Sequence, residues 1–241
     1  SDITNAARTL VFDIHKRAWS DELLKVFGIP SALLPRVAPC DGPFGETEAS
    51  LFGRSIPIFG MAGDQQAALV GHGCLRAGMA KATFGTGCFL VMNTGDTPRR
   101  SSHRLLATMG YETKSARAYA LEGSIFSAGA TMQWLRDGLG VIATSADSEP
   151  LAACLPDNGG VYLVPAFAGL GAPQWRPDAR GAIVGLTRDS TSAHIVRAGL
   201  EAVAYQTRDL LDALAADGAA LDDRVSARNH RGPDGRARQP D

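Results

Sequence analysis

Residues 60–95 read GMAGDQQAALVGHGCLRAGMAKATFGTGCFLVMNTG, and the reading of this stretch decides the fold. Its first half carries Gly63-Asp64-Gln65-Gln66, a lone acid behind a glycine turn that follows the apolar run Ile56 to Phe59. The polar residues Gly63 to Ala67 suit a helix start, with Asp64 in the first turn. An acid there favours the helix dipole, so Asp64 has a structural reason to exist as well as a chemical one. The second half carries Thr83-Phe84-Gly85-Thr86-Gly87-Cys88-Phe89, a Gly/Thr turn between β-type residues. That pattern predicts a hairpin with its tip at Gly85-Thr86-Gly87. Glycines admit oxygen atoms close to backbone N–H groups, and Thr86 adds a hydroxyl, which is the inventory of a phosphate cradle. A plain structural hairpin has the same signature, and both readings stand on these residues alone.

Working outward, the 241 residues are 45% hydrophobic with a net charge of −1, enough for one or two cores. That charge offers no basic field for nucleic acid or an acidic membrane surface. No apolar run approaches the ~20 residues of a membrane span, and the acidic opening Ser1-Asp2 is unlike a signal peptide. Cys40, Cys74, Cys88 and Cys154 form no CxxC pair, which argues for free thiols in a reducing cytoplasm. Cys88, inside the hairpin, reads as a small buried hydrophobe.

The flanks give further elements. Ser20 is expected to cap a helix through Phe27, followed by a short helical turn in Pro30 to Val37. His103 to Arg117 reads as a loop or hairpin arm, and Glu122 to Leu139 as a helix with small residues along its first half. Asn158 to Phe167 and Ala182 to Gly185 read as strands. The longest helix runs from His194 to Ala216 behind Ser190 or Thr191, with Gly199 inside it and His194 as a structural partner. The tail from Asp222, rich in Arg, Gly and Pro, is expected to be disordered.

GDQQAAL, KATFGTGCFLVMNTG, ALEGSIFSAGATMQWLRD and the long run from Val164 to Leu214 occur in this order. Together they closely resemble the glycerol kinases of the FGGY family of carbohydrate kinases, over nearly all of residues 1–217. The resemblance implies an α/β, actin/hexokinase-like (ribonuclease H-like) two-domain kinase fold, here incomplete. Residues 1–71 would be the end of its N-terminal domain and 72–221 the front of its C-terminal domain, with 222–241 an aberrant tail. A shifted reading frame is the expected origin of that tail, ahead of a natural basic extension. The absence of an initial Met suggests a chain that begins inside a longer protein.

The function implied is ATP-dependent phosphorylation of glycerol to sn-glycerol 3-phosphate, in the cytoplasm, with Mg²⁺ on the nucleotide. Asp64 would be the general base, Gln65 would hold a glycerol hydroxyl, and Phe89 would pack on the carbon backbone. Thr86, Gly129 and Gln133 would contact ATP. Full-length relatives are expected to be homodimers or homotetramers, with no nucleic-acid or membrane partner. The opposing phosphate loop and the other glycerol-holding residues of the family have no counterpart in these 241 residues, so the chain alone is expected to be inactive. Two alternatives remain open: a kinase for another polyol or a ketose, and a non-catalytic remnant.

Overall fold

A computed structural model describes residues 1–218 and the strand 225–229. In chain order the first elements are α1 (Ile3–Ala6), β1 (Phe12–Asp13), β2 (Ala18–Trp19), α2 (Asp21–Phe27), β3 (Gly45–Glu46), α3 (Ala49–Phe52) and β4 (Pro57–Ile58). There follow α4 (Asp64–Gly71), β5 (Ala80–Phe84), β6 (Cys88–Gly95), β7 (Leu106–Glu112), β8 (Arg117–Ile125) and α5 (Gly129–Asp137). Last come α6 (Ser148–Ala153), β9 (Tyr162–Val164), β10 (Ala182–Val184), α7 (Ser192–Ala216) and β11 (Val225–Asn229).

The architecture is built on a five-stranded mixed sheet in the order β11-β5-β6-β8-β7. The strands β5, β6, β8 and β7 run antiparallel to their neighbours, and β11 lies parallel to β5. One face carries Ala82, Leu90, Leu121 and Ile125 against Leu210, Ala213 and Leu214 of α7. On the other, Val91 and Ala120 pack on Leu69 of α4, while Met109 and Tyr119 pack on Ile3 and Ala6 of α1. Beside the sheet, α5 and β9 share a second core with Val196, Ala198 and Ala202 of α7.

Local capping rules hold well. The Ser20 hydroxyl accepts from the Leu23 N–H at 3.3 Å, closing the start of α2. Thr191 caps α7, and His194 is a structural partner there, its Nδ1 accepting from the Thr191 N–H at 3.1 Å. Gly199 has a packing reason as well: a methyl there would lie 2.9 Å from Leu135 Cδ1 on α5. The helix expected in Pro30–Val37 is one 3₁₀ turn, Ser31–Leu33.

Two expectations need correction, and of the two readings left open for His103–Arg117 the hairpin arm is the one observed. Glu122–Leu139 is not one helix: its first residues end strand β8, and helix begins only at Gly129. β8 is buried on both faces over eight of its nine residues, so it shows no alternation for period-based reading to detect. His103–Arg117 supplies β7, the first arm of a hairpin closed by Thr113 and Ala116. The strand expected across Asn158–Phe167 shrinks to Tyr162–Val164, because Gly159 and Gly160 adopt φ of +60° and +76° just before it.

The tail also departs from expectation in part. Val225–Asn229 forms β11, in register with Ala80–Phe84 along the free side of β5. Such pairing needs only backbone N–H and C=O groups, which a segment poor in large apolar residues still has. The remaining tail residues, 222–224 and 230–241, lie outside the described residues.

Candidate active site

The site forms where the first turn of α4 meets the α4-facing side of the sheet. Antiparallel register sets Lys81 opposite Val91 and Thr83 opposite Phe89, and β8 continues the rows with Glu122 and Ser124. These rows face α4 because their neighbours Ala82 and Leu90 face α7.

Gly63 is the N-cap of α4, and Asp64 its first helical residue. The Gly63 turn is held from a distance, since its N–H donates to Thr4 Oγ1 at 2.9 Å. The Thr4 N–H in turn donates to Oδ2 of the fully buried Asp2, at 2.8 Å. A Cβ at position 63 would lie 2.6 Å from Gln66 Oε1, so a larger residue there would have to displace the Gln66 amide. Asp64 is exposed, and its Oδ1 accepts from the Gln65 N–H at 2.8 Å while Oδ2 accepts from Gln65 Nε2 at 3.0 Å.

Gln65 leads to Lys81, a residue that sequence reading passed over. Its side chain is fully buried, and Nζ donates to Gln65 Oε1, to Thr83 Oγ1 at 2.9 Å and to the Phe89 carbonyl at 3.3 Å. Burial pulls its pKa down from 10.5 to about 8, opposed mainly by the negative charge of Glu122. Glu122 is itself buried and accepts from Arg8 at 2.8 Å. A lysine in mid-strand was the available signal, but a strand lysine usually snorkels to water.

The hairpin tip is as expected, with Gly85-Thr86-Gly87 joining the Phe84↔Cys88 pair. Its backbone is docked on the start of α5: the N–H groups of Ala128 and Ala130 donate to the Thr86 carbonyl at 2.9 and 3.0 Å, and that of Gly129 to the Gly85 carbonyl at 2.9 Å. A Cβ at Gly129 would lie 2.6 Å from the Gly85 oxygen, and one at Gly87 would lie 2.3 Å from the Ile125 oxygen. Gly129 is therefore needed for this docking, and its N–H is already engaged. Thr86 is exposed at the tip. A cleft of about 820 Å³ opens beside it, lined by Phe84, Gly85, Gly129 and Met132 on one wall and by Val203, Thr207 and Arg208 on the other. Gln133 lies exposed one turn along α5 from Gly129.

Cys88 behaves as a buried hydrophobe: burial pushes its thiol up to about 11, well above the reactive range. All four cysteines are free. Among the described residues no group of three His, Cys, Asp or Glu is arranged to hold a metal, and no helix is long and apolar enough to cross a membrane.

A mixed sheet with helices packed on both faces, and a glycine hairpin docked on a helix start, define an α/β module. The chain belongs to the FGGY family of carbohydrate kinases: the family's C-terminal domain profile matches residues 80–227 and its N-terminal domain profile residues 1–71. Its fold is accordingly the actin/hexokinase-like kinase fold of that family. It is 58% identical over 219 residues to a glycerol kinase of Alteromonas mediterranea, covering 91% of this chain and 44% of the relative. To glycerol kinase 1 of Pseudomonas aeruginosa it is 57% identical over 218 residues, covering 90% and 44%. Among solved structures, a Plasmodium falciparum glycerol kinase with ADP superposes with a TM-score of 0.86 at 37% identity, covering 95% of this chain and 46% of the other. A xyloylose kinase from Brucella ovis follows at 0.82 and 27%, covering 95% and 48%. The chain thus spans somewhat under half the length of the relatives it matches.

Proposed function

We propose that these residues are one side of an ATP-dependent glycerol kinase site that forms sn-glycerol 3-phosphate. The observation that carries the reading is the exposed Asp64 carboxylate, oriented by Gln65 next to strands that lead into a glycine-threonine hairpin. The identity of well over half to glycerol kinases favours glycerol over a ketose or another polyol.

Phosphoryl transfer asks the protein for positioning and charge stabilisation. Asp64 accepts the proton of glycerol's primary hydroxyl as its oxygen bonds to phosphorus. Gln65 offers a donor and an acceptor to a polyol hydroxyl, and the half-buried Phe89 ring offers an apolar surface to its carbons. The Thr86 hydroxyl binds phosphate oxygens, the cleft along Gly129 receives the nucleotide, and Gln133, exposed on α5, adds a further contact to it. Mg²⁺ in such sites rides on phosphate oxygens with one or two carboxylates. Bound with the nucleotide, the metal would neutralise phosphate charge. Residues 1–71 act as the end of one lobe and 72–221 as the front of the next.

The test is formation of glycerol 3-phosphate from glycerol, ATP and Mg²⁺, with xylulose and gluconate as competing substrates. A full-length enzyme carrying these residues is expected to prefer glycerol, and preference for a sugar would overturn the assignment. The 241-residue polypeptide alone is expected to show no turnover, because positioning between two bound reactants is worth roughly 7–11 kcal/mol in favourable cases and needs both walls. Turnover by that polypeptide would show that one wall suffices.

A further inference from the structure

Lys81 is the one fully buried lysine of the described core, and the phosphoryl-transfer scheme above leaves it unused. An ammonium away from water is costly unless every proton is bonded. Here the protons meet three acceptors on three elements: Gln65 Oε1 on α4, Thr83 Oγ1 on β5 and the Phe89 carbonyl on β6. Lysine has no acceptor, so the Gln65 amide must present its oxygen to Lys81. Its NH₂ group is then left to donate to Asp64 Oδ2 at 3.0 Å. An ionised carboxylate only accepts, so the direction of the chain from Lys81 through Gln65 to Asp64 is set at both ends. Without the lysine, the amide is free to turn its oxygen toward the carboxylate and release it.

Resting on the reading of Asp64 as the base, we propose that Lys81 is a positioning residue for the reaction. Its buried ammonium locks the Gln65 amide so that Gln65 aims the Asp64 carboxylate. The same ammonium ties the helix bearing the base to the two strands that carry the phosphate hairpin. The titratable groups acting on Lys81 are Glu122 on β8 and Asp64 on α4, with Cys88 on the opposite face of β6 and Cys74 in the loop after α4 neutral near pH 8. Burial outweighs their attraction and brings its pKa to about 8. The lock is therefore complete below that pH and loosens as pH rises through it.

The experiment is steady-state kinetics of the full-length enzyme carrying Lys81→Met, alone and in a Gln65→Ala background. Lys81→Met is expected to lower kcat/KM for glycerol about 10- to 100-fold, the scale of a small misplacement of a reacting group. The KM for ATP should stay within about twofold, and the fall of kcat/KM above about pH 8 should vanish. With Gln65 already Ala, adding Lys81→Met should cost no more than about twofold. Additive losses, unchanged glycerol kinetics, or a basic limb that persists in Lys81→Met would each overturn the proposal. Should Lys81→Met fail to fold, ¹⁵N NMR of the Gln65 side-chain amide in the unmutated protein decides. A titration with its midpoint near 8 supports the lock, and an amide that does not respond overturns it. The NMR reading does not depend on glycerol, so an enzyme with no glycerol turnover but a titrating Gln65 would refute the assigned function and leave the lock standing.

Discussion

At the scale of the residue, the site divides labour between atoms a few ångströms apart. Asp64 gives one oxygen to its own helix and the other to Gln65, so its position is defined although it is exposed. Asp64→Asn keeps that shape and removes the base. In a full-length enzyme it should lower kcat at least ~100-fold while leaving the KM for ATP nearly unchanged. Turnover within a few-fold of the unmutated enzyme would take Asp64 out of the base role. Thr86→Val likewise keeps shape and deletes one hydroxyl at the hairpin tip. A hydrogen bond to a charged phosphate is worth about 1.5–3 kcal/mol, so kcat/KM for ATP should fall roughly 10- to 100-fold. Unaltered ATP kinetics would reduce the hairpin to a structural turn.

At the scale of the element, the hairpin and α5 act as one unit. The carbonyls of Gly85 and Thr86 take the first N–H groups of the helix, which would otherwise lack partners. Contact this close leaves no room for a side chain at Gly87, whose Cβ would sit 2.3 Å from the Ile125 carbonyl oxygen. Because the obstacle is backbone, relief requires the hairpin to lift off β8. Gly87→Ala should therefore cost about 1–3 kcal/mol in chemical denaturation, and nucleotide affinity should fall with it. A variant with unchanged stability would show that the hairpin is not docked as described.

At the scale of the whole molecule, residues matched to the family's N-terminal domain are bonded into the sheet of the C-terminal one. Arg8 follows α1, Glu122 lies in the middle of β8, and their pairing joins segments 114 residues apart. The Glu122 side chain is 2% exposed against 39% for Arg8, so Arg8→Ala would leave a buried carboxylate unpaired. Breaking such a pair from one side costs on the order of 3 kcal/mol, the low end of the range because Arg8 is partly in water. Denaturation midpoints should show that loss, and Arg8→Ala with Glu122→Gln should recover part of it. No recovery would mean that Arg8 acts by packing its stem on the sheet rather than by its charge.

The sequence by itself determined what depends on neighbours in the chain. The Ser20 and Thr191 caps, the Gly63-Asp64 helix start and the Gly85-Thr86-Gly87 hairpin all follow from short-range rules, and the family resemblance draws on these segments together with Ala120 to Asp137. Only the tertiary structure decided what depends on partners far along the chain. β8 became a strand because neighbours bury both its faces, which erases the alternation that would have announced it. Val225–Asn229 became a strand because the edge of β5 was there to receive it. Lys81 became part of the site because the first turn of α4 places the Gln65 oxygen over it. A lysine in a strand shows in sequence only its charge and its place in the alternation. Its burial, and the acceptors that make burial bearable, come into being when helix and sheet close on each other.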